Sequence, residues 1–145
     1  MQVDFYHLTL TPLARALPQI AQKVLGSGQR LLIVSDSEEQ RGAIDRLLWT
    51  YAADSFLPHA CAGSGDDTVQ PILIGLEPAP ANAARMIALI DGTWRDEALA
   101  FERAFHFFDD DAIHPARAAW KRLAEREGVE RRYWKQTESG WEQAA

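Results

Sequence analysis

A single cysteine, Cys61, stands in the 145-residue chain. No disulfide framework can therefore form within it, which suits a reducing compartment. No apolar run approaches the roughly 18–20 residues that a membrane span needs. The opening stretch MQVDFYHLTL has neither a basic leader nor a long apolar core, so no secretory signal is expected. A cytoplasmic location is the expectation that follows. Net positive charge is also lacking. Fifteen Lys and Arg stand against 21 Asp and Glu, a formal charge of -6, and phosphate neutralisation depends on clustered cations. Strong direct binding of nucleic acid is not expected.

The acidity is uneven. Between Arg117 and Lys135 lie seven basic residues (Arg117, Lys121, Arg122, Arg126, Arg131, Arg132, Lys135) and three acidic ones (Glu125, Glu127, Glu130). That segment carries +4 and the remainder -10, so one surface attracts an anion while the rest of the body repels it. With 47% hydrophobic residues, a chain of this length fits one domain, residues 1–145, and needs neither metal nor disulfide to hold its core.

Short apolar runs alternate with segments of helical period, as in βα units around a mostly parallel sheet. The expected fold class is an α/β three-layer sandwich with helices on both faces, Rossmann-like but without a nucleotide site. Strands are expected at 3–8, 30–35, 72–76 and 86–90, and a short extended piece at 55–59 before a loop at 61–67. A first helix is expected from Thr11-Pro12 to about Leu25, with a kink or late start at Pro18. Ser37 and Gln40 have capping-box spacing for a second helix to about Tyr51, whose buried stripe is Ile44, Leu47, Leu48 and Tyr51, leaving Trp49 off it. Further helices are expected at 95–104 and 113–127, the latter capped by Asp109 to Asp111 and stopped by Gly128. Phe105 to Phe108 fits strand or helix. Tyr133, Trp134 and Trp141 make the tail too aromatic for a plain solvated terminus.

Catalytic signatures are missing. The Gly26-Ser27-Gly28 triplet follows a helix and precedes a strand, the wrong polarity for a dinucleotide loop. The first strand-to-helix turn, Thr9 to Pro12, has no glycine, and Gly63-Ser64-Gly65 is too short for a nucleophile elbow. His7, His59, His106 and His114 lack metal-ligand spacing, and a structural hydrogen bond explains His59 better than catalysis does. Asp36 reads as a helix cap. No catalytic residue, metal site or cofactor is expected.

Two constellations do carry chemistry. Arg117, Trp120, Lys121 and Ala124 are three and four apart and share a helix face, beside the apolar stripe of Ala116, Ala119 and Leu123. Two cations next to an indole, with a small residue leaving room, suit a carboxylate attached to an apolar side chain, most simply a protein C-terminus. The same spacing also fits an ordinary amphipathic helix whose Trp120 is core packing. Trp49 with Phe56, Leu57 and Pro58 fits an aromatic interface patch, or equally a second helix face buried by a neighbouring layer.

At these residues the chain resembles a known family. Ser27-Gly28-Gln29-Arg30 followed by LLIVSDSEEQ, IDRLLW ending at Trp49, SFLPH at 55–59, AGSG at 62–65 and QPILIG at 70–75 resemble the chi subunit of the bacterial DNA polymerase III clamp-loader complex. The later W-K-R stretch and Tyr133-Trp134-Lys135-Gln136 fit as well. The resemblance implies a non-enzymatic adaptor that binds the psi subunit of the clamp loader at one surface and the acidic C-terminal tail of single-stranded-DNA-binding protein at another. It implies that Trp49 and Phe56 contact psi, with Leu57 and Pro58 beside them, and that Arg117, Trp120 and Lys121, with Ala124, hold the tail. A helicase-like protein using the psi surface is the other partner left open. The chain departs from the family pattern at Ile113, where a further basic residue is expected, and at Pro115. Two other readings stand beside this one: a nucleotide-binding enzyme or regulator acting near Asp36 and residues 61–67, and direct binding of single-stranded DNA through Trp134, Trp141 and the basic tail. The -10 remainder weighs against the second.

Overall fold

The structure is a computed structural model that describes residues 1–10, 12–51, 57–138 and 140–145. Thr11, Ser55 and Phe56 lie outside the described residues. Among the described residues, eight strands form one sheet: β1 (Gln2–His7), β2 (Leu31–Val34), β3 (His59–Cys61), β4 (Ile72–Gly75), β5 (Met86–Leu89), β6 (Arg103–Phe108), β7 (Glu130–Thr137) and β8 (Gly140–Gln143). Their spatial order is β3-β4-β2-β5-β6-β1-β7-β8. Among the described residues, every pairing is parallel except the closing β7–β8 hairpin. The central strands read as continuous apolar runs because both of their faces are covered.

Alternation of side chains divides the core in two. On one face α1 (Leu13–Gly26) and α2 (Glu38–Thr50) cover Leu31, Ile33, Ile72, Ile74, Phe105 and Phe107. On the other, α3 (Ile113–Leu123) and a 3-10 turn at Asp96–Ala100 cover Val3, Phe5, Leu32, Leu73, Ile87 and Phe108. The α/β sandwich expected from the sequence is the one observed.

Local details sharpen or correct the expectations. Ser37 caps α2 by accepting from the Gln40 backbone N–H at 3.1 Å. Gln40 does not close the box; its side chain turns inward to Ser35 and to the Ile90 carbonyl. Asp36 is not the cap, and its backbone N–H donates to Asp91. Pro18 neither delays nor interrupts α1, which runs through it with Pro18 buried. The helix expected over 95–104 is only the 3-10 turn, because Phe101 and Ala104 are drawn into the core and β6 begins at Arg103. Phe105 to Phe108 is therefore strand. α3 stops at Leu123, short of Glu127. The aromatic tail is β7 and β8, which the sequence pattern did not show.

Candidate functional site: a cation-framed indole on α3

α3 buries its small side chains, Ala116 and Ala119, together with Leu123, so the helix lies close to the sheet. Trp120 is half-buried, while Arg117, Lys121 and Ala124 are exposed. Ala124 is the residue capping the helix, its N–H bonded to the Lys121 carbonyl at 3.2 Å. The Trp120 ring stands edge-on to Phe5 at 5.3 Å and to Tyr133 at 5.7 Å. Phe5 and Tyr133 are register partners on β1 and β7, with stacked rings 6.5 Å apart. The indole thus has an aromatic bed supplied by two strands.

Its lid is a residue that the helical spacing did not indicate. The Arg131 guanidinium lies 4.1 Å above the Trp120 ring and donates to the Trp120 carbonyl at 2.7 Å. Arg131, Tyr133 and Lys135 alternate along β7 toward the α3 face, opposite to Arg132, Trp134 and Gln136. That period of two is the signal in the sequence, legible only once residues 130–137 are known to be a strand. Burial raises the Tyr133 hydroxyl above its ordinary range against the pull of the nearby Arg117 charge, with Asp110 raising it further. Tyr133 also meets His7 at 3.4 Å, and His7 meets Asp110 at 2.7 Å. Of the seven cations in the +4 segment, Arg126 pairs with Asp96 and Arg132 with Glu130. Arg117, Lys121 and Lys135 make no ion pair among the described residues.

The second candidate lies at the other end of the sheet. Trp49 is 59% exposed and its ring sits 4.6 Å from that of His59. His59 is buried, its nitrogens meeting the Leu57 carbonyl at 2.6 Å and the Asp45 carbonyl at 2.9 Å. It is a structural histidine, joining α2 to β3. Leu57 is only 3% exposed and belongs to the core, whereas Pro58 is half-buried. At about 4.8 Å per strand, five to six strand steps put Trp49 and Trp120 roughly 25–30 Å apart.

The carboxyl-end crevice, where α/β sheets commonly bind nucleotides, is acidic. Its described lining includes Asp91 and Asp109 but no Lys or Arg. Burial alone would raise the Asp91 carboxyl, yet the Arg95 guanidinium and the N–H groups of Asp36 and Thr93 hold it down at about 2. Arg95 grips Asp91 at 2.6 and 3.0 Å. In the first strand-to-helix turn, the N–H groups of Thr9 and Leu10 both donate to Gln136 at 2.7 and 2.8 Å. These donors are already committed to a side chain. Gly92, at φ +77°, is required here because a Cβ would fall 2.8 Å from that of Ala112. Among the described residues, no three of His, Cys, Asp and Glu converge as metal ligands, and burial with nearby Asp45 raises the Cys61 thiol.

The family model for DNA polymerase III chi subunit, HolC, matches residues 1–130. The chain belongs to this family. It is a DNA replication component of the DNA polymerase III assembly. The chain is 30% identical over 115 residues to the DNA polymerase III subunit chi of Escherichia coli, covering 77% of this chain and 78% of that one. With the subunit chi of Pseudomonas aeruginosa it shares 31% identity over 84 residues, 56% of this chain and 58% of the relative. A probable subunit chi of Rickettsia prowazekii is 26% identical over 92 residues, 63% and 56% of the two chains. The family match ends at residue 130, so Arg131, Tyr133 and Lys135 lie beyond it. No helix among the described residues is long and apolar enough to cross a membrane.

Proposed function

We propose that this chi-family chain is a non-catalytic, cytoplasmic adaptor. One surface holds the acidic C-terminal tail of single-stranded-DNA-binding protein, and the other, around Trp49, docks the psi subunit of the clamp loader. The reading is carried by the indole of Trp120, bedded on Phe5 and Tyr133 and covered by Arg131, with exposed Arg117 and Lys121 on the same helix. An apolar side chain next to a free carboxylate complements that arrangement, the ring taking the side chain and the cations taking the charge. Trp49 and Pro58 form the psi surface, with the His59 ring 4.6 Å from Trp49 and Leu57 buried in the core next to Pro58. Separation of the two surfaces by about 25–30 Å lets both partners bind together. Contact with DNA is then indirect.

Calorimetry with a short acidic peptide ending in an apolar residue and a free carboxylate tests this. Arg117→Ala and amidation of the peptide should each weaken binding roughly tenfold, the loss of one charge-assisted contact, and added salt should weaken it too. Equal affinity for the amidated peptide sinks the carboxylate reading.

A further inference from the structure

Trp134 and Trp141 take no part in either surface. They point to the opposite face of the sheet from Trp120, and with Tyr6 and Phe105 they line a groove against α1 residues Ile20 and Lys23. The groove is about 430 Å³, within the size range of small-ligand sites. Its aromatic wall is continuous: Trp134 lies 6.2 Å from Tyr6 in parallel orientation, and Trp141 stands edge-on to Tyr6 at 5.0 Å. Two cations border it, Lys23 from α1 and Arg103 from β6. Lys23 is exposed and has no ion-pair partner among the described residues.

Beneath this wall lies Asp4, wholly buried. Its carboxylate accepts from Arg103 Nε at 2.7 Å, from the Trp134 indole N–H at 2.9 Å and from Gln2 at 3.0 Å. One buried group therefore fixes both a cation and an indole of the groove before any ligand arrives. Pre-fixed walls of this sort lower the ordering cost of binding.

We propose that this groove is a binding site for a small aromatic carboxylate. The flat apolar body occupies the space between the rings and α1, and the carboxylate meets Lys23 and the outward edge of Arg103. The charge complementarity selects an anion over a neutral analogue. Because the site faces away from α3, its occupancy is independent of the peptide-binding reading.

Titration of the isotope-labelled full chain with 2-naphthoate, followed by two-dimensional NMR, tests the assignment. Saturable shifts are expected at the Trp134 and Trp141 indole N–H signals and along residues 19–27, with the Trp120 indole signal unmoved. Neutral 2-naphthamide and the Lys23→Glu variant should each show roughly tenfold weaker binding. Lys23 is a surface residue, so this variant retains the fold, and its unchanged spectrum away from the groove verifies that. Shifts confined to other surfaces, equal binding of the amide, or no effect of K23E would each overturn the proposal.

Discussion

Trp49 and Trp120 are both indoles on helices, yet the molecule treats them oppositely. Trp49 projects from α2 near the β3 edge, with over half its surface in solvent and the buried His59 ring beneath it. Trp120 is held between two rings and a guanidinium, on a helix whose Arg117 and Lys121 are exposed. An exposed indole suits burial under an apolar partner, whereas a framed one suits a short anionic segment. The difference lies in the neighbours and not in the residue.

The strongest way to break this contrast is to remove the bed. Phe5→Ala should cost about 4 kcal/mol of stability, because Phe5 meets Trp94, His106, Phe108, Trp120 and Tyr133. Denaturant unfolding measures that loss, and a change under about 1 kcal/mol would mean that the rings do not depend on it.

Acid should act on the same face. His106 is fully buried with neither ring nitrogen hydrogen-bonded among the described residues, and burial pushes its pKa down to about 4 from 6.5. The folded form binds this proton less readily than the unfolded chain. Stability is therefore fully present above about pH 6.5 and is lost as pH falls toward 4, by on the order of 3 kcal/mol. Asp91 resists until lower pH, its depressed carboxyl withdrawing support only between about 3.8 and 2. Thermal melts of His106→Leu should show a flatter profile between pH 6.5 and 4. An unchanged slope would remove His106 as the cause.

Trp120→Ala should weaken tail-peptide binding by about 2 kcal/mol or more, some thirtyfold, as expected for a central aromatic anchor. Arg131→Ala should cost less, about 1 kcal/mol, and Arg131→Lys should restore only part, since charge returns without the planar stack. Calorimetry on both variants separates the lid from the anchor. Trp49→Ala sharpens the comparison from the other side. It should leave peptide affinity within about twofold while abolishing capture of psi, and coupled losses would contradict two independent surfaces.

Legibility in the sequence followed burial. Leu31–Val34 and Ile72–Gly75 could be read because both faces of these strands are covered, leaving unbroken apolar runs. Residues 95–104 misled because their local composition is helix-favouring, while Phe101 and Ala104 are claimed by the sheet core. β7 was hidden because it is half-exposed and arginine-rich, and its strand character comes from its pairing with β1. The α3 face was legible from spacing of three and four residues. Arg131 and Tyr133 were not, since parallel pairing brings Tyr133 beside Phe5 across more than a hundred residues. Leu57 read as a surface contact although it is core.

That distant pairing also sets the order of events during synthesis. β1 is made more than a hundred residues before β7, so one of its edges waits for residues 130–137, and Gln136 must arrive before the N–H groups of Thr9 and Leu10 are bonded to it. At roughly 5–20 residues per second, that delay is on the order of 6–25 seconds. The bed of Trp120 is completed in the same step, by Tyr133. The surface proposed for an acidic tail is therefore unfinished on a nascent chain until β7 has emerged.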